Sequence, residues 1–205
     1  PLGNNLNNIK HISILQPDDK KFRIFTWFLP LKDGSFEYFG AIQACNKRGK
    51  KCRNYSLNKN THLQSETVNT ALDYTNWYGC VYYEIIPIEI AKEKYYTLLG
   101  WDGNNPQINK KIIDVLQYSK KEDPVFGADI FNNNQYRFII AYSKQHSLSL
   151  KYDQSIEAIV FDHLEPIDGI SKNNFNLYAP DLSYDIFKKS DFGWMLERNI
   201  YLNNN

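Results

Sequence analysis

Residues Tyr95 to Ser119 read YYTLLGWDGNNPQINKKIIDVLQYS, two apolar runs separated by Gly-Trp-Asp-Gly-Asn-Asn. Both runs are short and rich in Ile, Leu, Val and Tyr, and the break between them holds Asp-Gly and Gly-Asn pairs, which supply the positive φ angles of tight turns. The stretch is a β-hairpin. Asp102, Asn104 and Asn105 in its turn are oxygen ligands of the type a hard cation takes, but Pro106 stands where a calcium loop needs its third ligand. A turn explains these residues, and no metal is assigned.

The same grammar extends in both directions. HISIL, KFRIFTWFLPL, SFEYFGAIQA and CVYYEIIPIEI come before the hairpin; PVFGADIF, YRFIIAYS, SLSLKYD, EAIVFDHL, FNLYAP and WMLERNIYL come after it. Turn residues such as Pro17-Asp18-Asp19, Lys32-Asp33-Gly34 and Asn132-Asn133-Asn134 separate them. The expected fold is mainly β: one antiparallel meander domain over residues 11–205, closed as a barrel or built as a small propeller, because closure removes exposed strand edges. In KFRIFTWFLPL, Phe22, Ile24 and Thr26 share one face, and Arg23, Phe25 and Trp27 share the other. That strand is buried on both sides or has an aromatic outer face. At most one or two short helices are expected; SETVNTALDY, from Ser65 to Tyr74, is the candidate, with Ser65 as cap and Val68, Ala71 and Leu72 as an apolar stripe. Residues 1–10 open Pro-Leu-Gly and read as a tag remnant and a frayed arm.

The chain carries 24 Lys+Arg against 23 Asp+Glu, so no global charge announces a nucleic-acid or polybasic membrane partner. No apolar run approaches the roughly 20 residues of a membrane helix. Cys45, Cys52 and Cys80 form no Cys-x-x-Cys pair, which disfavours zinc. Cys45 and Cys52 flank the basic turn NKRGKK and can staple a hairpin in an oxidising compartment, while three unpaired thiols suit a reducing one.

The series YYTLLGWDGNN, KKIIDVL, PVFGADIF, YRFIIAYS, SLKYD and IVFDHLEP is similar to a family of uncharacterised Bacteroidota proteins; FRIFTWFLP, GSFEYFGAIQ and YYEIIPI also look like that family's earlier strands. The likeness spans roughly residues 20 to 166. The tail, LSYDIFKKSDFGWMLERNIYL, keeps a Trp194 hairpin but departs from the family's Gly-Asp-Tyr-Glu-Gly-Phe-like turn. The resemblance implies an exported protein of the periplasm or outer envelope, with a signal peptide in its precursor, and brings no catalytic residues. In an exported protein Cys45 and Cys52 should be bonded, and Cys80 free and buried; so small a ring would stabilise the fold by about 2 to 3 kcal/mol.

Candidate chemistry is sparse. In FDHLEP a strand puts His163 and Glu165 on one face and Asp162 on the other, so His163 and Glu165 form the acid–base pair to test. Asp102 joins them and Asp162 as a carboxylate near a strand end. There is no Gly-x-Ser-x-Gly elbow and no phosphate-binding Gly-x-x-x-x-Gly-Lys loop. The leading expectation is a non-enzymatic envelope β domain that binds a protein or a surface glycan through rim aromatics Trp27, Trp77, Trp101 and Trp194, without a cofactor. The alternatives are a glycan hydrolase using paired carboxylates, with those groups about 5 to 10 Å apart in one cleft, and a small-ligand carrier with a cavity inside a closed barrel.

Overall fold

Leu98 and Leu99 are neighbours in the chain, point to opposite sides of one strand, and are both fully buried. A strand of that kind needs a packed layer on each face, and three antiparallel sheets provide it. The computed structural model describes residues 12–45, 51–59, 68–118, 123–131 and 134–201.

The first sheet is a meander of β1 (Ser13–Leu15), β2 (Phe22–Pro30), β3 (Phe36–Cys45) and β4 (Cys52–Leu57). The central sheet holds β5 (Leu72–Asp73), β6 (Val81–Ile90), β7 (Glu93–Asp102), β8 (Ile108–Tyr118), β9 (Pro124–Phe126) and β10 (Phe138–Ser143). Its order is β5-β9-β8-β7-β6, and β10 also pairs with β8. The third sheet is a second meander, β11 (Leu150–Asp153), β12 (Ala158–Pro166), β13 (Tyr178–Ser190) and β14 (Gly193–Ile200).

One core lies between the first and central sheets, where Phe22, Ile24 and Ile42 meet Tyr82, Leu98 and Ile112. A second lies between the central and third sheets, where Leu99, Ile113 and Ile140 meet Ile159, Phe161 and Phe187. Strand β6 ties the layers together at a bulge between Tyr82 and Glu84. Tyr82 turns to the first sheet: its carbonyl accepts from the Ser13 hydroxyl, and its N–H donates to Thr26 Oγ1 at 3.1 Å. Tyr83 and Glu84 turn to the third: the Tyr83 hydroxyl donates to the Leu150 carbonyl at 2.9 Å, and Glu84 Oε2 accepts from the Tyr152 N–H at 3.2 Å. Two consecutive stretches of one edge strand thus serve different neighbours, which is what the extra residue of a bulge permits.

The mainly β, antiparallel chain expected from the sequence is what forms; the finer expectation is a barrel or small propeller, and among the described residues the strands make three sheets with no closed barrel. The physical reason is the central hairpin: a single barrel has one inside, whereas β7 and β8 bury both faces. The helix expected at 65–74 is corrected. Residues 65–67 lie outside the described residues, Leu72–Asp73 is a strand paired with Val125 and Phe126, and Tyr74–Asn76 is a single 3-10 turn. Asp73 Oδ1 accepts from the Thr75 N–H at 2.8 Å and the Thr75 hydroxyl at 2.6 Å, a local alternative to helical bonding. The 1–10 arm and most of the NKRGKK turn fall outside the described residues.

Cys45 and Cys52 face each other in the β3–β4 register and are joined by a disulfide, with Cα atoms 4.0 Å apart. The Cys45 N–H points the other way, to the Lys21 carbonyl, so towards β4 this is a narrow pair without backbone hydrogen bonds, where side chains approach closely. Cys80 is a free thiol, buried against the central sheet, and burial pushes it well above its ordinary range.

Inside the first core runs a polar chain absent from the sequence reading. The Trp77 indole donates to the Tyr82 hydroxyl at 3.0 Å, and that hydroxyl donates to Asp114 Oδ2 at 2.7 Å. Arg137 Nε reaches Asp114 Oδ1 at 3.3 Å; the other guanidinium nitrogens donate to the Thr70 and Phe126 carbonyls at 2.9 and 3.0 Å. Both charged side chains are wholly buried.

Candidate functional site

At one end of the molecule the β2–β3 and β7–β8 turns press against each other. A Cβ at Gly103 would stand 2.2 Å from the Phe36 ring, and one at Gly34, where φ is +81°, would stand 2.7 Å from Pro106. Only glycine allows that approach. The Gly-Trp-Asp-Gly-Asn-Asn turn is thereby a docking point between sheets: Asp102 Oδ1 caps the Asn104 N–H at 2.7 Å, Oδ2 accepts from Tyr78 at 3.4 Å, and the Gly103 N–H donates to the Tyr38 hydroxyl at 2.7 Å. Asp102 is buried there in a structural role.

The contact gathers an aromatic rim. The half-buried Trp101 has its ring centroid 5.5 Å from Phe28 and 5.4 Å from Phe36, and those two lie 5.3 Å apart. Polar groups surround it. Lys111 is directly across the strand pair from Trp101; its Nζ sits 4.7 Å over the Tyr83 ring and donates to the Tyr83 hydroxyl at 3.4 Å. Lys144 Nζ sits 5.4 Å over Phe36. Burial raises the Tyr142 hydroxyl, and side-chain bonds with Asn109 and Trp101 pull it back. Asn109 Oδ1 is buried beside the rim, and among the described residues it has no hydrogen-bond partner. Leu29 and Leu31 extend the apolar surface into solvent.

Trp27 belongs to a second aromatic surface, the outer face of the first sheet. It stacks on its cross-strand partner Phe39, with centroids 5.7 Å apart and planes 14° from parallel. The next register row holds Phe25 opposite Ala41; the row after is polar, where Arg23 donates to Gln43 Oε1 at 2.6 Å. Neither Trp27 nor Phe39 belongs to the hydrophobic cores. The aromatic outer face is therefore the correct half of the alternative left open for this strand.

Trp77 and Trp194 are corrections. Their exposures are 0% and 1%, so neither lies on a rim. Trp77 heads the buried polar chain, and Trp194 pins β14 to the central sheet through its indole N–H, 2.8 Å from Thr97 Oγ1.

His163 and Glu165 do come together, with a third group the sequence reading missed. His163 Nδ1 lies 2.7 Å from Asp185 Oδ1 and Nε2 lies 3.2 Å from Glu165 Oε1. A bulge in the β12–β13 pairing after Asp162 turns the imidazole towards Asp185, while Asp162 Oδ2 accepts from the Ser149 N–H at 2.7 Å. A serine-hydrolase relay needs one imidazole nitrogen facing a nucleophile; here both face carboxylates. Among the described residues no hydrogen bond joins Asp102 to this cluster: its carboxylate is held in the β7–β8 turn by Asn104 and Tyr78. Burial opposes a proton on His163, but the bonds to Asp185 and Glu165 and the nearby charge of Asp181 outweigh it, and the pKa is raised. Arg198, 3.9 Å from Asp185 Oδ2, is the cation facing the cluster.

A raised folded pKa means that the stability contributed by charged His163 is fully present below the unfolded value of about 6.5 and is lost as pH rises through the folded value. The urea midpoint of the wild type is expected to fall as pH rises from about 6 towards 8.5, and His163→Gln should flatten that slope. Parallel profiles for the two proteins would refute the assignment.

Together these features define a three-layer antiparallel β protein with an aromatic rim at the junction of two hairpin tips. No protein-family model, curated protein or solved structure matches the chain. Among the described residues no group of three or more His, Cys, Asp or Glu side chains is arranged to hold a metal ion, and no helix is long and apolar enough to cross a membrane.

Proposed function

We propose that the protein is a non-enzymatic, exported β domain of the cell envelope that binds a surface glycan at the Trp101 rim. The supporting observation is the company Trp101 keeps. A half-exposed indole offers an apolar face to a sugar ring, and Lys111 and Lys144 offer ammonium groups for its oxygens, while the buried Tyr142 hydroxyl is bonded to Asn109 and Trp101 and so belongs to the rim's support. A purely apolar protein-docking patch does not need those ammonium groups. In affinity electrophoresis through gels containing neutral and acidic polysaccharides, at least one should retard the wild type. Trp101→Ala should weaken that binding tenfold or more, about 1.4 kcal/mol, while Trp27→Ala has a smaller effect. Retardation by none of them, or undiminished binding by Trp101→Ala, would reject the reading.

Export is supported by the facing Cys45–Cys52 pair, which suits an oxidising compartment, and by the likeness to exported Bacteroidota proteins. Protein taken from its own cells, unfolded without reductant, should show one reactive thiol, that of Cys80. Three reactive thiols would place it in a reducing compartment.

A further inference from the structure

Around the rim lysines outnumber the carboxylates that face them. Lys111 and Lys144 stand on it, and Lys110, next to Lys111 but on the opposite face of β8, lies near Lys59, whose Nζ is 5.0 Å over the Tyr38 ring. Two carboxylates face this group: Asp102, enclosed by Tyr38 and Tyr78, and Asp162, bonded to the Ser149 N–H. Among the described residues no carboxylate comes within ion-pair distance of Lys59, Lys110, Lys111 or Lys144, whereas Lys94 and Lys189 each have such a partner. Burial pulls Lys111 below the ordinary lysine range, and the charge of Asp162 acts against that pull. An ammonium held partly out of water beside an aromatic platform gains when an anion arrives.

We propose that the rim's ligand is an acidic oligosaccharide, with a sugar face on Trp101 and its carboxylates met by Lys111 and Lys144. This rests on the glycan reading and adds the ligand's charge to it. Aromatic contact alone suits any pyranose, and positive charge alone suits any polyanion; the combination selects a sugar that carries its own carboxylate. An acidic peptide leaves the Trp101 face without a ring to stack on it, and a neutral glycan leaves the two lysines without an anion; the other polyanions are separated by the test.

The test uses polygalacturonate, alginate and hyaluronan, each against its methyl ester, which keeps the skeleton and removes the charge. At low salt the wild type should bind at least one free acid tenfold or more tighter than its ester, and added salt should weaken the difference. Lys111→Met with Lys144→Met should bring acid and ester to the same weak affinity, and Trp101→Ala should lower both. Near-UV circular dichroism of each variant checks its packing; if the Lys111→Met chain is perturbed, Lys144→Met alone must reduce the ratio. Equal affinity for acid and ester overturns the acidic-ligand inference and leaves glycan binding standing. Binding to none of the three acids overturns the inference as well, and glycan binding then depends on the neutral polysaccharides. Equally tight binding of polyglutamate or single-stranded DNA, unaffected by Trp101→Ala, overturns both in favour of unspecific anion attraction.

Discussion

Replacing Arg137 with Met is expected to remove about 3 to 5 kcal/mol of folding stability, the usual cost of leaving one member of a buried ion pair behind. Asp114 would keep the Tyr82 hydroxyl but lose its counter-charge, and the Thr70 and Phe126 carbonyls would lose the guanidinium donors that hold 68–70 and the end of β9 against the core. Since a domain's net stability is about 5 to 15 kcal/mol, the variant should be close to unfolding at physiological temperature. Asp114→Asn should be destabilising by itself, yet the double variant should be less damaged than the sum of the two, because no lone charge then remains in the core. Urea denaturation of the four proteins closes the cycle. Single-variant costs that add to within about 0.5 kcal/mol would show that the two side chains act independently.

Trp194→Ala is the second large effect, again about 3 to 5 kcal/mol. Beyond Trp194 much of β14 is exposed, with Leu196 only partly buried against the same core, so this indole is the strand's one large fully buried side chain. Its backbone N–H donates to the Ile130 carbonyl at 2.7 Å, and its ring meets Tyr152 at 6.3 Å. Deletion leaves a cavity and strips the buried Thr97 hydroxyl of its donor, which by itself costs about 1 to 3 kcal/mol. Trp194→Phe should recover the packing part but not the hydrogen bond, so its cost should fall between wild type and alanine. An alanine variant whose denaturation midpoint matches the wild type would mean that the third sheet does not depend on this contact.

Both effects lie where the sequence gives a cue but not a partner. Asp114 is the lone charge inside IIDVLQY, and an acid in a run buried on both faces needs a counter-group in the core. Arg137 in YRFIIAYS and Asp185 in SYDIF are the same kind of interruption. Period-2 reading sends such residues to a face; it cannot say which distant residue shares that face.

Local chemistry determined what local chemistry can. Apolar run lengths and turn residues specify an antiparallel β chain, the Gly-Trp-Asp-Gly-Asn-Asn break specifies a tight turn, and alternation puts His163 with Glu165 and Phe25 with Trp27. Those features depend on a few neighbouring residues and the pleat. The stacking of three sheets was a tertiary decision, because Leu98 and Leu99 bury opposite faces only when sheets distant in sequence cover both. The same holds for the tryptophans. Nothing within a few residues of Trp77 or Trp194 distinguishes them from Trp27 or Trp101; burial was settled by which sheet came to lie above each one, and that closure involves contacts such as Trp194 with Thr97, far apart along the chain.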